Sequence, residues 1–202
     1  MTAPAPTARK KPRVDRAARR AEYVGVAARV FLDKGLHAAT MRDIADAAGA
    51  AKVLFYRLFP SREALVEAVF ERVAQAIDDA FDSPWEGYGS MVRKVLETAR
   101  QDPAPFLVVF KNCRASMPEW EAGMRSLLAR TSMPLFTPAP DAPAGAEARA
   151  EKAAGALFGL FLDSMVTWLE DRDGLTDEER IRWWARIVRE NRAAGREAFR
   201  LD

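Results

Sequence analysis

TMRDIADAAGAAKVLFYRLF, residues 40–59, reads as two short helices joined by a tight turn that carries Gly49. Thr40 stands at an N-cap position: its hydroxyl is placed to accept from the backbone N–H of Asp43, and the Asp43 carboxylate to reach back, a T-x-x-D form of the capping box. The first helix therefore starts at Met41. Ile44, Ala45 and Ala48 share one face at helical spacing, and Gly49 supplies the positive φ or close approach that a sharp turn needs. The second helix runs from about Ala51 to Leu58, with Phe55 and Phe59, four apart, as its buried stripe. Lys52, Val53, Tyr56 and Arg57 are left facing outward, an aromatic and two cations on a helix suited to a DNA major groove.

The run from Phe31 to Leu65, about a sixth of the chain, resembles the DNA-binding domain of the TetR family of transcriptional regulators. Gly35, Thr40, Arg42, Asp43, Ile44, Ala45, Gly49, Lys52, Tyr56, Phe59, Ser61, Glu63 and Leu65 all stand where that family's pattern has them. The resemblance implies a DNA-binding surface made of Thr40, Met41, Arg42, Ala51, Lys52, Val53, Leu54, Tyr56, Arg57 and Arg62. Within it, Tyr56 is expected to reach a phosphate through its hydroxyl. Ala50 and Ala51 depart from the family's Val-Ser, so the second helix lacks a side-chain N-cap, and its first N–H groups are left for water or a DNA phosphate. Val53 and Leu54 depart from Gly-Thr: they cannot hydrogen-bond base edges but can press on thymine methyls. Arg57 stands where the family often has His and offers the one long forked donor, able to bridge guanine O6 and N7. Direct readout is expected to be sparse, with much of the specificity left to DNA shape.

Charge supports this independently. Residues 1–70 hold 13 Lys or Arg against seven Asp or Glu, an excess of six, so the remainder must carry about four negative charges to reach the total of +2. Most of the excess precedes the first helix in TARKKPRVDRAARR, and Pro12 within it, with Pro4 and Pro6 just ahead of it, argues against early helix. Residues 1–15 are expected to be a flexible basic arm in which Arg9, Lys10, Lys11 and Arg13 track phosphates or enter the minor groove. The sole histidine, His37, reads as an ordinary surface loop residue.

At 202 residues the chain accommodates two modest units, a helix-turn-helix DNA-binding domain over 16–62 and a helical domain over 63–202. Strand signals are nearly absent, which makes the fold class all-α with about nine helices. The longest apolar run, Ala156 to Leu162, is broken by Asp163 and falls far short of the about 20 residues that span a bilayer, and no signal peptide is visible, so no membrane role is expected and residence is cytoplasmic. One cysteine, Cys113, and one histidine exclude an internal disulfide and a zinc site of ordinary spacing. No paired carboxylates, Ser/His/Asp set or phosphate-cradling Gly loop appears, so the chain reads as no enzyme, with no cofactor and no metal.

Beyond the head, Ser61 caps a long helix striped by Val66, Val69, Phe70, Val73, Ile77 and Phe81, ending near Asp82. A helix from about Trp85 to Arg100 follows, then others opening at Asp102-Pro103 and at Pro118. Pro134 to Gly145 reads as loop. The last two helices run from about Glu147 to Asp171 and from Thr176, a T-x-x-E capping box with Glu179. Apolar residues of the first occupy too wide an arc for one face, so it is expected to bury two.

The pair looks like the last two helices of TetR-family proteins, which pack as a four-helix dimer interface; Phe158, Leu162, Trp168, Trp184, Ile187 and Val188 are the expected interface residues. The tryptophans also suit monomer core, but adjacent Trp183 and Trp184 cannot both face one way. Phe106, Phe110, Met117, Trp120, Met124, Phe161 and Met165 fall in the helices that line the family's effector pocket; plain core packing is the other reading of the same side chains. The resemblance thus implies a homodimeric repressor that binds a palindromic double-stranded DNA operator and is released by a small hydrophobic effector. Two alternatives stand beside it: a DNA-binding regulator with no small-molecule effector, and a small-molecule-binding helical protein whose helix-turn-helix has degenerated, as Ala51, Val53 and Leu54 suggest.

Overall fold

Each helix start expected at a capping Thr or Ser is in place. Thr40 accepts from the Asp43 N–H at 3.2 Å while Asp43 accepts the Thr40 N–H at 2.9 Å. Ser61 accepts from the Ala64 N–H at 3.1 Å, and Thr176 and Glu179 close a reciprocal box with 2.8 and 3.3 Å bonds. These contacts orient the first turns of three helices and satisfy N–H groups that would otherwise be orphaned.

The computed structural model describes residues 16–112 and 118–199, and the description below is of those. Arg9, Lys10, Lys11 and Arg13 of the basic arm, Cys113, and the candidate pocket residue Met117 lie outside them. The described residues form nine α-helices and one short 3-10 helix, with no strand: α1 Arg16–Lys34, α2 Met41–Ala47, α3 Lys52–Leu58, α4 Arg62–Phe81, α5 Ser90–Gln101, α6 Pro103–Asn112, α7 Pro118–Thr131, a 3-10 turn Met133–Phe136, α8 Ala146–Leu169 and α9 Asp177–Phe199.

Two boundaries differ from the sequence reading. The helix expected from Trp85 begins at Ser90, because Gly87 takes φ 111° and breaks the helical path, and Trp85 and Tyr88 are held instead in a loop, ring edge to ring face, with centroids 5.4 Å apart. The proline-rich stretch after α7 is not wholly irregular, since Met133–Phe136 makes a 3-10 turn that buries Phe136.

α1 packs on α4 and α6, so the head and the bundle share a continuous core running from Tyr23 to Val188. At this junction Asp102, between α5 and α6, receives Arg72 of α4 at 3.0 Å and Arg29 of α1 at 3.7 Å. α8 lies against α6, α9 and the 3-10 turn and buries residues from Ala146 to Leu169. By length and composition alone α8 could cross a membrane, which the short apolar run had not suggested; half of its most apolar window is buried inside the fold, as a helix covered on two faces must be.

Candidate nucleic-acid interface and effector cavity

Phe55 and Phe59 are both essentially inaccessible, and Phe55 packs against Tyr23 of α1 with ring centroids 5.4 Å apart. Two anchors one turn apart fix the rotation of α3 and leave its opposite face in solvent. On that face Val53 is 75% exposed, Leu54 and Tyr56 are 44% exposed, and Lys52 and Arg57 are exposed without a carboxylate partner within ion-pair distance among the described residues. A Val, a Leu and a Tyr cannot be left in water on a seven-residue helix without a cost that a partner surface would remove. Gly49 holds φ 57° in the turn, and Ala51 caps α3 with no side-chain bond; the Leu54 N–H donates to the Ala51 carbonyl at 2.9 Å, which leaves the Lys52 and Val53 N–H groups without a side-chain acceptor.

Arg57 opens onto a cleft that it lines with Arg16, Arg19, Leu54 and Leu58. The sequence reading placed Arg16, Arg19 and Arg20 in the basic run ahead of the first helix; they form the first turn and a half of α1. Their i, i+3 spacing was the available signal for Arg16 and Arg19. Arg20 turns away, over the Phe59 ring at 5.2 Å and toward Glu71 at 3.6 Å. Three guanidinium groups around one cleft, beside uncapped N–H groups, make a site for polyanionic backbone.

Arg62 is held within the fold. Its guanidinium donates to the backbone carbonyls of Leu36 and Ala39 and lies over the Phe31 ring, so it staples the α1–α2 loop to the start of α4. Arg62→Ala is therefore expected to lower the melting temperature while leaving the salt dependence of DNA binding unchanged; a reduced slope of log affinity against log salt would return Arg62 to the interface. Thr40 is likewise committed, its hydroxyl donating to Asp43 at 2.7 Å, and Lys34 at 2.6 Å with Thr40 holds the Asp43 carboxyl far below the usual carboxylate range. Met41 is half-buried against the core, and Arg42 is exposed with Asp46 3.7 Å away.

The expected pocket residues divide differently. Phe106, Phe110, Trp120 and Met165 are buried in the core, and Met124 is half-buried against it. Phe70 of α4 stacks on Trp120 with centroids 5.7 Å apart and occupies the space over Gly123, where any Cβ would collide with its ring. That plugs the site between α4 and α7. Among the described residues of the expected set, Phe161 alone lines the apolar cavity of about 130 Å³ that does exist, farther along the bundle. Its walls come from the end of α4 (Ala80, Phe81), the Trp85–Tyr88 loop, Met91, Thr131 and Ser132 before the 3-10 turn, Phe158 and Phe161 of α8, and Trp184 and Val188 of α9. Trp85 and Tyr88 were missed because a helix was expected there.

The expected dimer residues are placed inside the chain's own core. Phe158, Leu162, Trp168, Trp184 and Val188 are all buried within the chain, and Ile187 packs partly against its core. Phe161 meets Trp184 at 5.8 Å and Trp168 meets Trp184 at 6.3 Å, so α8 and α9 consume those side chains on each other. The tryptophan that points off the face is Trp183, 41% exposed and edge-on to Trp168 at 6.0 Å; with Leu160, Thr167 and Leu175 it lines an outward groove between the two helices.

A family model described as bacterial regulatory proteins, tetR family, matches residues 24–69, which run from α1 through the first part of α4. The HTH-type transcriptional activator FasR of Mycolicibacterium smegmatis is 29% identical over 177 residues, covering 83% of this chain and 80% of that protein. The HTH-type transcriptional repressor KstR2 of the same organism is 44% identical over 78 residues, 35% of this chain and 38% of its own length. Among solved structures, a TetR-like transcriptional regulator from Rhodococcus sp. RHA1 superposes with a TM-score of 0.64 at 19% identity, covering 91% of this chain and 98% of that one. A tetR-family transcriptional regulator from Streptomyces coelicolor gives 0.59 at 21% identity over 92% and 83% of the two chains. The curated relatives are named as regulators of transcription, not as enzymes.

Proposed function

We propose that this chain, a DNA-binding transcriptional regulator of the TetR family, acts in the cytoplasm as a homodimer that grips a palindromic operator with two copies of α3 and lets go when a small apolar or aromatic molecule fills the cavity. The observation that carries the DNA half is the solvent face of α3, with Lys52, Val53, Leu54, Tyr56 and Arg57 displayed by the buried pair Phe55 and Phe59. An apolar centre flanked by unpartnered cations suits a groove floor bordered by phosphates.

The effector half rests on α4. Its first turn is capped by Ser61 in the head, and its last residues, Ala80 and Phe81, form cavity wall. A 20-residue helix is a rod of about 30 Å, so a ligand that pushes on the wall tilts the head about the Asp102 joint with Arg72 and Arg29. A cavity open to ligand favours this reading over a regulator with no effector.

The sign of regulation is proposed as repression, in keeping with the names of the relatives that match over about a third of the chain. The relative that matches over most of the length is named an activator, and activation is the second reading. Selection of bound sequences from random duplex DNA, repeated with a panel of apolar ligands, tests the whole proposal. Recovery of no two-fold sequence would overturn it, and a reporter with the recovered site placed over or upstream of a promoter fixes the sign.

Reader and anchor are expected to separate on mutation. Arg57→Ala is expected to relax preference at one G·C position per half-site, at about 1–3 kcal/mol for each lost bidentate contact. Lys52→Ala is expected to weaken all sequences alike and lower the salt slope by about one unit per phosphate released. Binding assays on matched and single-mismatch duplexes at several salt concentrations distinguish them, and the opposite pattern reverses the two roles.

A further inference from the structure

A cationic side chain stands behind the cavity wall, hydrogen-bonded to one of the residues that form it. Trp184, Val188 and Arg192 follow one another at four-residue intervals along α9, so the guanidinium of Arg192 stands one turn beyond the cavity wall. One of its NH groups donates to the Tyr88 hydroxyl at 2.9 Å, and Tyr88 is itself cavity wall. The Arg192 Nε–H is buried and has no hydrogen-bond partner, and no carboxylate pairs with this side chain among the described residues. The contrast with the other end of α9 is sharp: Arg180 is satisfied by three aspartates. A buried N–H left without an acceptor costs free energy that an anion arriving from outside would recover, and the half-buried positive charge behind it adds to the attraction. Among the described residues no Asp or Glu lines the cavity, so a cationic ligand finds no carboxylate among them.

Resting on the reading of this cavity as an effector site, we infer that its ligand is an amphipathic anion, an apolar body in the cavity with a carboxylate or equivalent acidic head on Arg192 and Tyr88. Size narrows the body. An apolar hole of about 150 Å³ takes one benzene ring, and this one measures about 130 Å³. Trp85, Tyr88, Phe158, Phe161 and Trp184 offer a ring edges and faces on several sides. A single aromatic ring on a short acid-bearing tether therefore meets both requirements.

The probes are 3-phenylpropionate and 3-phenylpropanol, which share a skeleton and differ in the charged head. Calorimetry and tryptophan fluorescence, to which the cavity-lining Trp85 and Trp184 contribute, report binding without DNA. The acid is expected to bind the wild-type protein about tenfold or more tightly than the alcohol. Arg192→Gln is expected to bring the acid down to the alcohol's affinity without changing the alcohol, while Arg192→Lys keeps part of the preference. Equal binding of the two compounds by the wild type, binding of neither, or an unchanged acid preference in Arg192→Gln overturns the inference; the wild-type comparison stands even if a variant misfolds. Operator binding is measured separately. If the acid binds through Arg192 yet leaves operator affinity unchanged, the anion site stands and the effector role falls. If only neutral compounds bind and release DNA, the effector role stands and the anion site falls.

Discussion

Arg180→Ala is expected to lower the unfolding free energy by roughly 3 kcal/mol, and the melting temperature by roughly 6–12 °C for a chain of this size. Arg180 is only 2% exposed, the most deeply buried charge among the described residues. It reaches Asp173 at 2.5 Å, Asp177 at 2.6 Å and Asp171 at 3.0 Å, while Arg100 of α5 shares Asp171 and Asp177 at 2.8 Å each. The network therefore ties the α8–α9 turn to α5 and sets where α9 begins. Removing one member of a fully buried pair costs about 3–5 kcal/mol, and the low end applies because Asp171 and Asp177 keep access to water and can rehydrate.

Acid dependence checks the same network. Asp171 is held below the usual carboxylate range by Arg100 and then Arg180, Asp173 by Arg180, and Asp177 by Arg100 and then Arg180. A carboxylate whose folded pKa is depressed contributes stability above its unfolded pKa, about 3.9, and loses it as pH falls through the folded value. The wild type is expected to lose stability on acidification below about pH 4, and Arg180→Ala to lose less over the same interval. Urea unfolding from pH 7 down to pH 3 measures both. Parallel curves for the two proteins would remove the aspartates from the account.

The head was readable because its signals are local. A Thr three residues before an Asp or Glu, a Gly in a tight turn and two Phe four apart carry their own geometry, and the Thr40 box, Gly49 and the buried pair Phe55 and Phe59 stand as the sequence implies. The cavity was less readable because periodicity tells which face of a helix is apolar, not which neighbour covers it. Phe106, Trp120 and Phe161 lie on equally apolar faces, but Phe70 stacks on Trp120, whereas Phe161 faces a space left open by the Trp85–Tyr88 loop. The bonds of Arg62 were unreadable for a related reason: an Arg beside a DNA-binding helix looks like a phosphate ligand, and its acceptors here are two backbone carbonyls distant in sequence.

Trp183→Glu and Leu160→Glu are expected to give folded monomers that lose operator affinity by roughly 10²–10⁴-fold, because two joined half-site contacts are worth far more than either alone. The groove between α8 and α9 offers Trp183, Leu160, Thr167 and Leu175 to solvent, and a two-fold contact would bring each introduced carboxylate near its own copy, doubling the desolvation cost. Trp184→Glu is expected to behave otherwise. Trp184 is 3% exposed between Phe161 and Trp168, so a charge there disrupts the chain's own core and lowers the melting temperature before it reports on assembly. Sedimentation together with thermal unfolding separates the cases: a dimer to monomer shift at nearly constant melting temperature for Trp183→Glu, and a large loss of melting temperature for Trp184→Glu. If Trp183→Glu and Leu160→Glu still sediment as dimers and hold the operator as tightly as the wild type, the two-fold contact lies on another face. The distance between the two α3 helices would then be set by elements other than the α8–α9 pair that Arg180 holds in place.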